Sequence, residues 1–255
     1  MKNLKKILRD LKNLGAVAIK QSLEDEGASF QEVSFSKKIS KSIGLKLNVK
    51  VGGCEAKNDV HFCHAINVDG IVAPMVESEY ALTKFIQTIP ASSKTDLYIN
   101  LETKNAFKNL NQIINSKSFN KLKGVVIGRS DLVSSYNLKK TRVDSRMIFK
   151  LLISNLKKIK KKNKLIKMGG SVTQKSGKFI SELFNRKLID RIETRNIEIK
   201  LNNSTLEKLN IIIPLIFKYE IEWLKFKNKK FKLDNLSKKI NSKRIVEMNS
   251  RLIKK

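Results

Sequence analysis

Two acidic residues, Glu102 and Asp131, have the types and spacing that could bind a divalent cation. Each follows a predicted strand, and the two strands are consecutive with one helical segment between them. Because neighbouring parallel strands lie about 4.8 Å apart, carboxylates at their ends can share one cation. Mg²⁺ is usually bound by one or two carboxylates, and water and substrate oxygens complete its octahedron. Such a cation would stabilise negative charge that grows on a substrate oxygen.

The same two residues also have a purely structural explanation. Glu102 could cap the helix that follows it, and Asp131 could pair with Arg129 or with a lysine. Spacing alone leaves both interpretations open.

Short β-rich runs alternate with longer amphipathic stretches, and this alternation must position the acidic pair. The predicted strands cover residues 15–19, 45–51, 70–74, 96–101, 123–127, 165–168 and 188–192. The predicted helices cover residues 30–43, 56–68, 78–87, 104–114, 145–161 and 173–184. Residues 196–201 form either an eighth strand or a continuation of the seventh.

Seven or eight strand–helix units in a chain of 255 residues favour an α/β fold, a (β/α)₈ TIM barrel with an irregular or missing strand. An open, doubly wound sheet is the alternative. The glycine-rich G-x-G-x-x-G fingerprint of dinucleotide-binding sheets does not follow the first strand, which counts against that alternative.

The pattern changes after residue 203, so we expect a barrel domain over residues 1–203 and a lysine-rich helical extension over residues 204–255. Helices over residues 204–227 and 235–253 have apolar faces that include aromatic side chains. We expect these faces to cover the barrel or to pack against a second subunit, which predicts a homo-oligomer. A basic helix at a membrane surface is the other option.

The charge is extreme, with 53 basic and 23 acidic residues and a net charge of +30. Residues 105–255 account for 38 basic and 11 acidic residues, a net +27, whereas residues 15–104 carry a net −1. Nucleic-acid recognition favours arginine and aromatic side chains, but 44 of the basic residues are lysines and aromatics make up 7% of the chain. We therefore expect lysines on solvated helix faces rather than a nucleic-acid binder.

The cellular location of the protein is predicted from its few cysteines and from the lack of membrane-spanning and signal-peptide patterns. Two cysteines exclude a disulfide scaffold. No apolar run approaches the roughly 20 residues of a membrane helix, and the first residues have no continuous apolar segment typical of a signal peptide. We expect a cytoplasmic protein that does not enter a membrane.

Several other residues could do chemistry, but each has a simpler explanation. Cys54, His61, Cys63 and His64 could bind zinc, although the Cys-x-x-Cys spacing is missing and helix packing explains them better. Lys20 could form a Schiff base. The turn at Gly169, Gly170 and Ser171 could bind an anion through its N–H groups. Arg195 could bind an anionic substrate tail, or pair with Glu193 or Glu198.

Four blocks carry a resemblance to a known family: Val51-Gly-Gly-Cys-Glu-Ala56, Ile71-Val-Ala-Pro-Met-Val-Glu-Ser78, Ile99-Asn-Leu-Glu-Thr103 and Val126-Ile-Gly-Arg-Ser-Asp-Leu132. In order and spacing they resemble the HpcH/HpaI aldolase and citrate lyase family from about residue 15 to residue 195. The resemblance implies a (β/α)₈ barrel that acts on pyruvate-like or phosphoenolpyruvate-like compounds. It also implies that Glu102 and Asp131 bind Mg²⁺ or another divalent cation such as Mn²⁺.

Two departures from the family pattern matter. Many members carry an arginine near the end of the strand before the Pro-Met-Val block, whereas the nearest basic residue here is Lys50. Members that act as aldolases carry a histidine near the first acidic block, and neither of the two histidines stands there. These departures favour an alternative function, a catalytically inactive barrel that binds an anionic ligand.

The main hypothesis is a metal-dependent carbon–carbon lyase that acts on a small 2-keto acid or related acyl substrate through an enolate. Glu102 and Asp131 would bind the cation, and Lys50 or Arg129 would offset the enolate charge. Glu55, Glu24 or a water would move the proton. The expected substrate contacts are Gly52, Gly53, Met75 and Gly128.

Overall fold

A computed structural model of the protein describes residues 1–253, and its eight strands close into one barrel. The strands are β1 (Ala16–Ser22), β2 (Lys46–Lys50), β3 (Gly70–Ala73), β4 (Asp96–Leu101), β5 (Gly124–Gly128), β6 (Leu165–Gly169), β7 (Arg191–Glu193) and β8 (Ile197–Lys200). Their order around the barrel follows the order along the chain, which confirms the predicted fold class.

Thirteen helices surround the barrel among the described residues. They are α1 (Lys2–Asn13), α2 (Phe30–Ile43), α3 (Lys57–Ala65), α4 (Glu79–Thr88), α5 (Lys104–Lys108), α6 (Leu110–Asn115), α7 (Lys117–Asn120), α8 (Arg129–Ser135), α9 (Arg146–Lys160), α10 (Gly177–Asn185), α11 (Asn203–Glu207), α12 (Leu209–Lys230) and α13 (Asn235–Ile253). Short 3₁₀ turns at Lys140–Arg142 and Gln174–Ser176 precede α9 and α10.

The eighth strand is the irregular one. Strands β1 to β7 pair in parallel, whereas β8 is antiparallel to both β7 and β1. Residues 194–196 connect β7 to β8, so no helix separates these two strands. A tight turn reverses the chain at this point, because a parallel neighbour would require a long crossover connection.

Charged side chains fill part of the barrel interior. Glu198 accepts hydrogen bonds from Lys167 at 2.7 Å, Arg191 at 2.6 Å and Asn48 at 2.7 Å. The Nζ atom of Lys167 also lies 3.5 Å from the centre of the Tyr98 ring. Burial acts to raise the pKa of Glu198, but the positive charges of Lys167 and Arg191 outweigh it and lower that pKa. The network joins strands that are not all neighbours, so it fixes the closed barrel from within.

The predicted extension forms the helices α11, α12 and α13, and residues 254–255 of it lie outside the described part of the chain. Helix α12 packs against α1 and α13. A buried ion pair of 2.8 Å joins Lys227 of α12 to Glu32 of α2. Phe35 of α2 stacks on Trp223 and Phe226. The extension is therefore attached to the barrel through the face of α2.

Helix α12 continues through Pro214, although proline has no N–H to donate. The carbonyl of Asn210, which would accept that missing hydrogen bond, accepts one from the Gln174 side chain at 3.2 Å. This contact links α12 to the turn before α10. No helix within residues 1–253 is both long and apolar enough to cross a membrane.

We predict that Glu198→Gln lowers the free energy of unfolding by about 3 kcal/mol, because it leaves buried positive charges without their partner. Urea denaturation followed by circular dichroism measures this loss. The matched control is Glu222→Gln, since Glu222 forms an exposed pair with Lys225 at 3.0 Å and its loss costs about 1 kcal/mol or less. Equal losses in the two variants would show that the interior network does not stabilise the barrel.

Candidate active site

The carboxylate of Glu102 is buried at the mouth of the barrel, directly after β4. The residue is 3% exposed. Its Oε1 atom accepts a hydrogen bond from the N–H of Met75 at 3.0 Å, and its Oε2 atom accepts one from the Asn100 side chain at 3.0 Å. Asn100 precedes Glu102 by two residues, so the alternation of a strand places both on the same face. These two donors fix the orientation of the carboxylate.

The absence of a side chain at Gly128 makes room for Glu102. A Cβ atom at this position would lie 2.3 Å from Oε2 of Glu102 and 2.7 Å from its Cβ. Gly128 ends β5, the strand next to β4. We predicted Gly128 as a substrate contact, and the structure gives it a packing function against Glu102.

The backbone of Met75 adopts a left-handed conformation with φ of 51°. This conformation is uncommon for residues other than glycine, and such strain concentrates at functional sites. The N–H of Met75 donates to Glu102, while the side chain is 45% exposed. The predicted substrate contact at Met75 can therefore involve only its side chain or carbonyl, since its N–H is already used.

Asp131 stands in the first turn of α8, which begins directly after β5, and its side chain is exposed. Burial raises the pKa of Glu102, and the negative charge of Asp131 raises it further. The Met75 N–H, the positive charge of Lys50 and the Asn100 side chain act in the opposite direction. The fold thus brings Asp131 and Lys50 within electrostatic reach of Glu102.

Lys50 ends β2, and its ammonium group contacts the loop after β1. The Nζ atom lies 2.5 Å from Oε2 of Glu24 and 3.0 Å from Oδ1 of Asp25. Burial acts to lower the pKa of Lys50, but the negative charges of Asp25 and Glu24 beside it raise that pKa above its usual range. Lys50 therefore stays positively charged, as the prediction of a charge-offsetting group requires.

The contact with Lys50 also lowers the pKa of Asp25. Burial acts to raise its pKa, but Lys50, the Ser22 hydroxyl and Lys20 together lower the pKa of Asp25 to about 2. The contact between Lys50 and Asp25 is thus an ion pair at neutral pH.

The structure corrects the role predicted for Arg129. This residue is fully buried, and its guanidinium group pairs with Asp144. It also donates to the carbonyls of Gly169 at 3.1 Å and Gly170 at 3.0 Å. Each of the three guanidinium nitrogens already donates a hydrogen bond. Arg129 therefore supports the loop after β6 and does not face a substrate. The structural alternative in which Asp131 pairs with Arg129 is also wrong, because Arg129 pairs with Asp144.

Two of the three residues predicted to act from the loop after β2, Glu55 and Gly52, contact other residues of the chain. Glu55 is exposed and pairs with Lys84 of α4 at 2.8 Å, so its role as the proton carrier stays a prediction. The N–H of Gly52 donates to Asp59 at 2.7 Å and is not available to a substrate. Gly53 has open space at its Cα atom, so a substrate contact there stays a prediction.

The remaining candidates take structural roles. Within residues 1–253, no cluster of three or more His, Cys, Asp and Glu side chains could hold a metal ion, so the zinc interpretation has no support. Lys20 pairs with the buried Glu193. The carbonyls of Gly169 and Gly170 accept hydrogen bonds from Arg129, while anion binding by the N–H groups of this turn stays a prediction. Arg195 pairs at 2.7 Å, but with Glu26 rather than with Glu193 or Glu198.

Sequence reasoning missed three residues that support the site. Asn100 shares a strand and a face with Glu102, so the period of two could have identified it. Asp144 lies 15 residues after Arg129 in an irregular segment, and no local pattern indicates their contact. Glu26 binds Arg195 and Arg244, and no local pattern in the sequence indicates either contact.

Comparisons with known proteins agree with the geometry. The family model described as HpcH/HpaI aldolase/citrate lyase matches residues 29–168, which is 140 of the 255 residues. No curated protein sequence matches the chain significantly.

Solved structures share the fold at low sequence identity. An HpcH/HpaI aldolase from Desulfitobacterium hafniense DCB-2 superposes with a TM-score of 0.63 at 10% identity, covering 83% of this chain and 86% of that one. An HpcH/HpaI aldolase/citrate lyase family protein from Burkholderia cenocepacia J2315 gives 0.62 at 10% identity, covering 81% and 88%. The citrate synthase SbnG gives 0.55 at 10% identity, covering 69% and 86%.

We predict that Gly128→Ala lowers the free energy of unfolding by about 1–3 kcal/mol, because the added methyl group overlaps the Glu102 carboxylate. Urea denaturation measures the change. Gly53→Ala adds the same methyl group where no atom lies within 4 Å, so it should change stability by about 0.5 kcal/mol or less. If Gly128→Ala were as harmless as Gly53→Ala, the close packing of Glu102 against β5 would be wrong.

Proposed function

The chain belongs to the HpcH/HpaI aldolase/citrate lyase family, and on this premise we propose that it is a metal-dependent carbon–carbon lyase. Its substrate would be a small 2-keto acid or a related acyl compound, and its reaction would pass through an enolate. The observation that carries the proposal is the placement of the buried Glu102 directly after β4 and of Asp131 in the first turn of α8, which begins directly after the adjacent strand β5.

The residues present fit a hard divalent cation such as Mg²⁺ or Mn²⁺. Both side chains offer carboxylate oxygens, the ligands that these cations prefer. Burial and the negative charge of Asp131 both disfavour the ionised form of Glu102, and a cation bound by the two carboxylates would relieve this. Two carboxylates leave the remaining coordination positions to water and substrate oxygens, which is usual for Mg²⁺.

Glu102 and Asp131 would hold the cation, with Met75 and Asn100 keeping Glu102 in place. When bound, the cation would supply positive charge beside the carboxylate and keto oxygens of the substrate. Lys50 would add a second positive charge, because it is buried and remains an ammonium group. Arg129 has no part in this step, since it is bound to Asp144.

The bond changes of such a reaction define what the residues must do. A base removes the proton of a substrate hydroxyl, the carbon–carbon bond breaks, and a carbonyl product leaves. The electron pair of that bond stays as an enolate, which a proton donor then converts to the keto acid. Both candidate proton carriers form ion pairs, but Glu24 pairs with Lys50 of the site whereas the exposed Glu55 pairs with Lys84 of α4, so position favours Glu24.

A second candidate function is a barrel that binds an anionic ligand without turnover. The observation that favours it is that Lys50 and Arg129 already contact carboxylates of the chain. Cytoplasmic location and assembly into a homo-oligomer remain predictions of the sequence.

We predict that the protein catalyses exchange of the pyruvate methyl protons with deuterium oxide in the presence of Mg²⁺ or Mn²⁺, since exchange requires the enolate. Glu102→Gln should slow this exchange by about 100-fold, because an amide cannot replace a carboxylate ligand. Proton NMR follows the methyl signal directly.

The control for this experiment is Glu79→Gln, which makes the same chemical change at an exposed residue of α4. It should exchange pyruvate at the original rate. Retained exchange in Glu102→Gln, or exchange that survives a chelator, would overturn the metal-dependent mechanism. Cation binding without exchange on any of a panel of 2-keto acids would favour the second candidate.

We also predict that the cation binds more weakly at low pH. The pKa of Glu102 is raised, so this carboxyl takes up a proton at a higher pH than an ordinary glutamate, and the proton competes with the cation. Calorimetric titration with Mn²⁺ should give an affinity several-fold lower at about pH 5 than at about pH 7.5. Equal affinity at both values, in the original protein and in Glu102→Gln, would place the cation elsewhere.

A further inference from the structure

Glu26, in the loop between β1 and α2, is bound by two arginines from distant parts of the chain. The guanidinium of Arg195, in the β7–β8 turn, lies 2.7 Å from its Oε1 atom. The guanidinium of Arg244, in α13, lies 2.8 Å from its Oε2 atom. The Glu26 side chain is 8% exposed. A charge-assisted hydrogen bond from Arg244 and an ion pair with Arg195 together hold this nearly buried carboxylate, and with it the loop.

The same loop carries the two carboxylates that contact Lys50. Glu24 and Asp25 directly precede Glu26, and Gly27 closes the turn with φ of 54°, a left-handed conformation. The N–H of Gly27 donates to the Glu24 carbonyl at 3.1 Å. Because the turn is tight, a shift of Glu26 must move Glu24 and Asp25 with it. Arg244 also reaches the backbone carbonyl of Asp25, at 3.4 Å.

Helix α13 is attached to α12 at two points beside Arg244. The side chain of Asn241 donates to Asn228 at 2.8 Å. Met248 is buried against Ile221 and Leu224. These contacts lie three residues before and four residues after Arg244, so they fix the side of α13 that faces the loop.

Helix α12 also holds the turn that carries Arg195. Buried Glu220 accepts a hydrogen bond from the Thr194 hydroxyl at 2.7 Å and another from the N–H of Asn196 at 3.1 Å. Both arginines that bind Glu26 are therefore positioned by the same C-terminal helix pair.

We infer that Arg244 is a positioning residue, which acts with Arg195 through Glu26 to hold Glu24 and Asp25 against Lys50. The C-terminal helices thereby determine where the Lys50 ammonium meets the substrate. The part of this inference that concerns the substrate rests on the proposed function, whereas the part that concerns the loop does not. Replacing Arg244 would leave Glu26 with one cation and would loosen the turn.

The loop is tested first, by amide hydrogen exchange and mass spectrometry of the full-length protein. In Arg244→Ala, peptides that cover residues 23–29 should exchange about tenfold faster, while those from the barrel strands keep their original rates. Lys243→Ala removes the same charge from an exposed neighbour on α13 and should leave every peptide unchanged. Unchanged exchange at residues 23–29 in Arg244→Ala would overturn the inference.

Catalysis is tested next, with the pyruvate exchange reaction. Arg244→Ala should raise KM for pyruvate about tenfold and lower kcat less, because Lys50 would bind the carboxylate poorly. Arg244→Lys should restore part of the affinity. The double variant Arg244→Ala with Glu26→Ala should be no worse than Glu26→Ala alone, since both changes break the same contact. Additive effects would show that Arg244 does not act through Glu26.

Amide exchange at residues 23–29 tests the loop contact, and pyruvate exchange tests the proposed function, so the two can fail separately. If the original protein exchanges no pyruvate protons but Arg244→Ala loosens residues 23–29, the proposed function fails and the loop contact stands. If the original protein is active and Arg244→Ala leaves both the loop and KM unchanged, the proposed function stands and the inference fails.

Discussion

The site depends on keeping the carboxylate of Glu102 buried and fixed at the mouth of the barrel. Burial of a charge is costly, and the nearby negative charge of Asp131 adds to the cost. The Met75 N–H and the Asn100 side chain donate hydrogen bonds to this carboxylate. Glycine at position 128 leaves the space that the carboxylate occupies. A buried carboxylate under the influence of a second negative charge would gain from a bound cation, and on this ground we propose the metal site here.

Two positively charged residues lie near the site, Arg129 and Lys50, and each is held in place by carboxylates of the chain. Arg129 is fixed to Asp144 and to the loop after β6, so it shapes the site without entering it. The ammonium group of Lys50 lies in a position to act on Glu102, and Glu24 and Asp25 hold it. The antiparallel β8 brings the β7–β8 turn and the C-terminal helices into this arrangement, because Arg195 and Arg244 both bind the neighbouring Glu26.

Local signals in the sequence were sufficient for elements with clear ends. The bounds of α2 were predicted correctly, since Ser29 caps its start through the N–H of Glu32 and Gly44 ends it with φ of 75°. The bounds of β4 were also predicted correctly. Helix α1 was not predicted, although Leu4, Ile7, Leu8 and Leu11 form the buried face of an amphipathic helix. The predicted helix over residues 104–114 is interrupted at Asn109, where no proline or glycine marks the break.

The partners of the charged residues could not be predicted, because the closed barrel brings together residues far apart in the chain. The sequence indicated Glu102, Asp131 and Lys50 by their places at strand ends. It did not indicate that Arg129 meets Asp144 or that Arg244 meets Glu26, a separation of 218 residues. The direction of β8 was also missed, since a short β-rich run has the same appearance in either direction.

Anomalous X-ray scattering from crystals grown with Mn²⁺ tests the central claim most directly, because it locates the cation without any assumption about the reaction. Our account predicts one strong peak at the mouth of the barrel, within coordination distance of carboxylate oxygens from both Glu102 and Asp131, and no peak there in crystals of Glu102→Gln. A peak bound by other residues, or by only one of the two carboxylates, would contradict it.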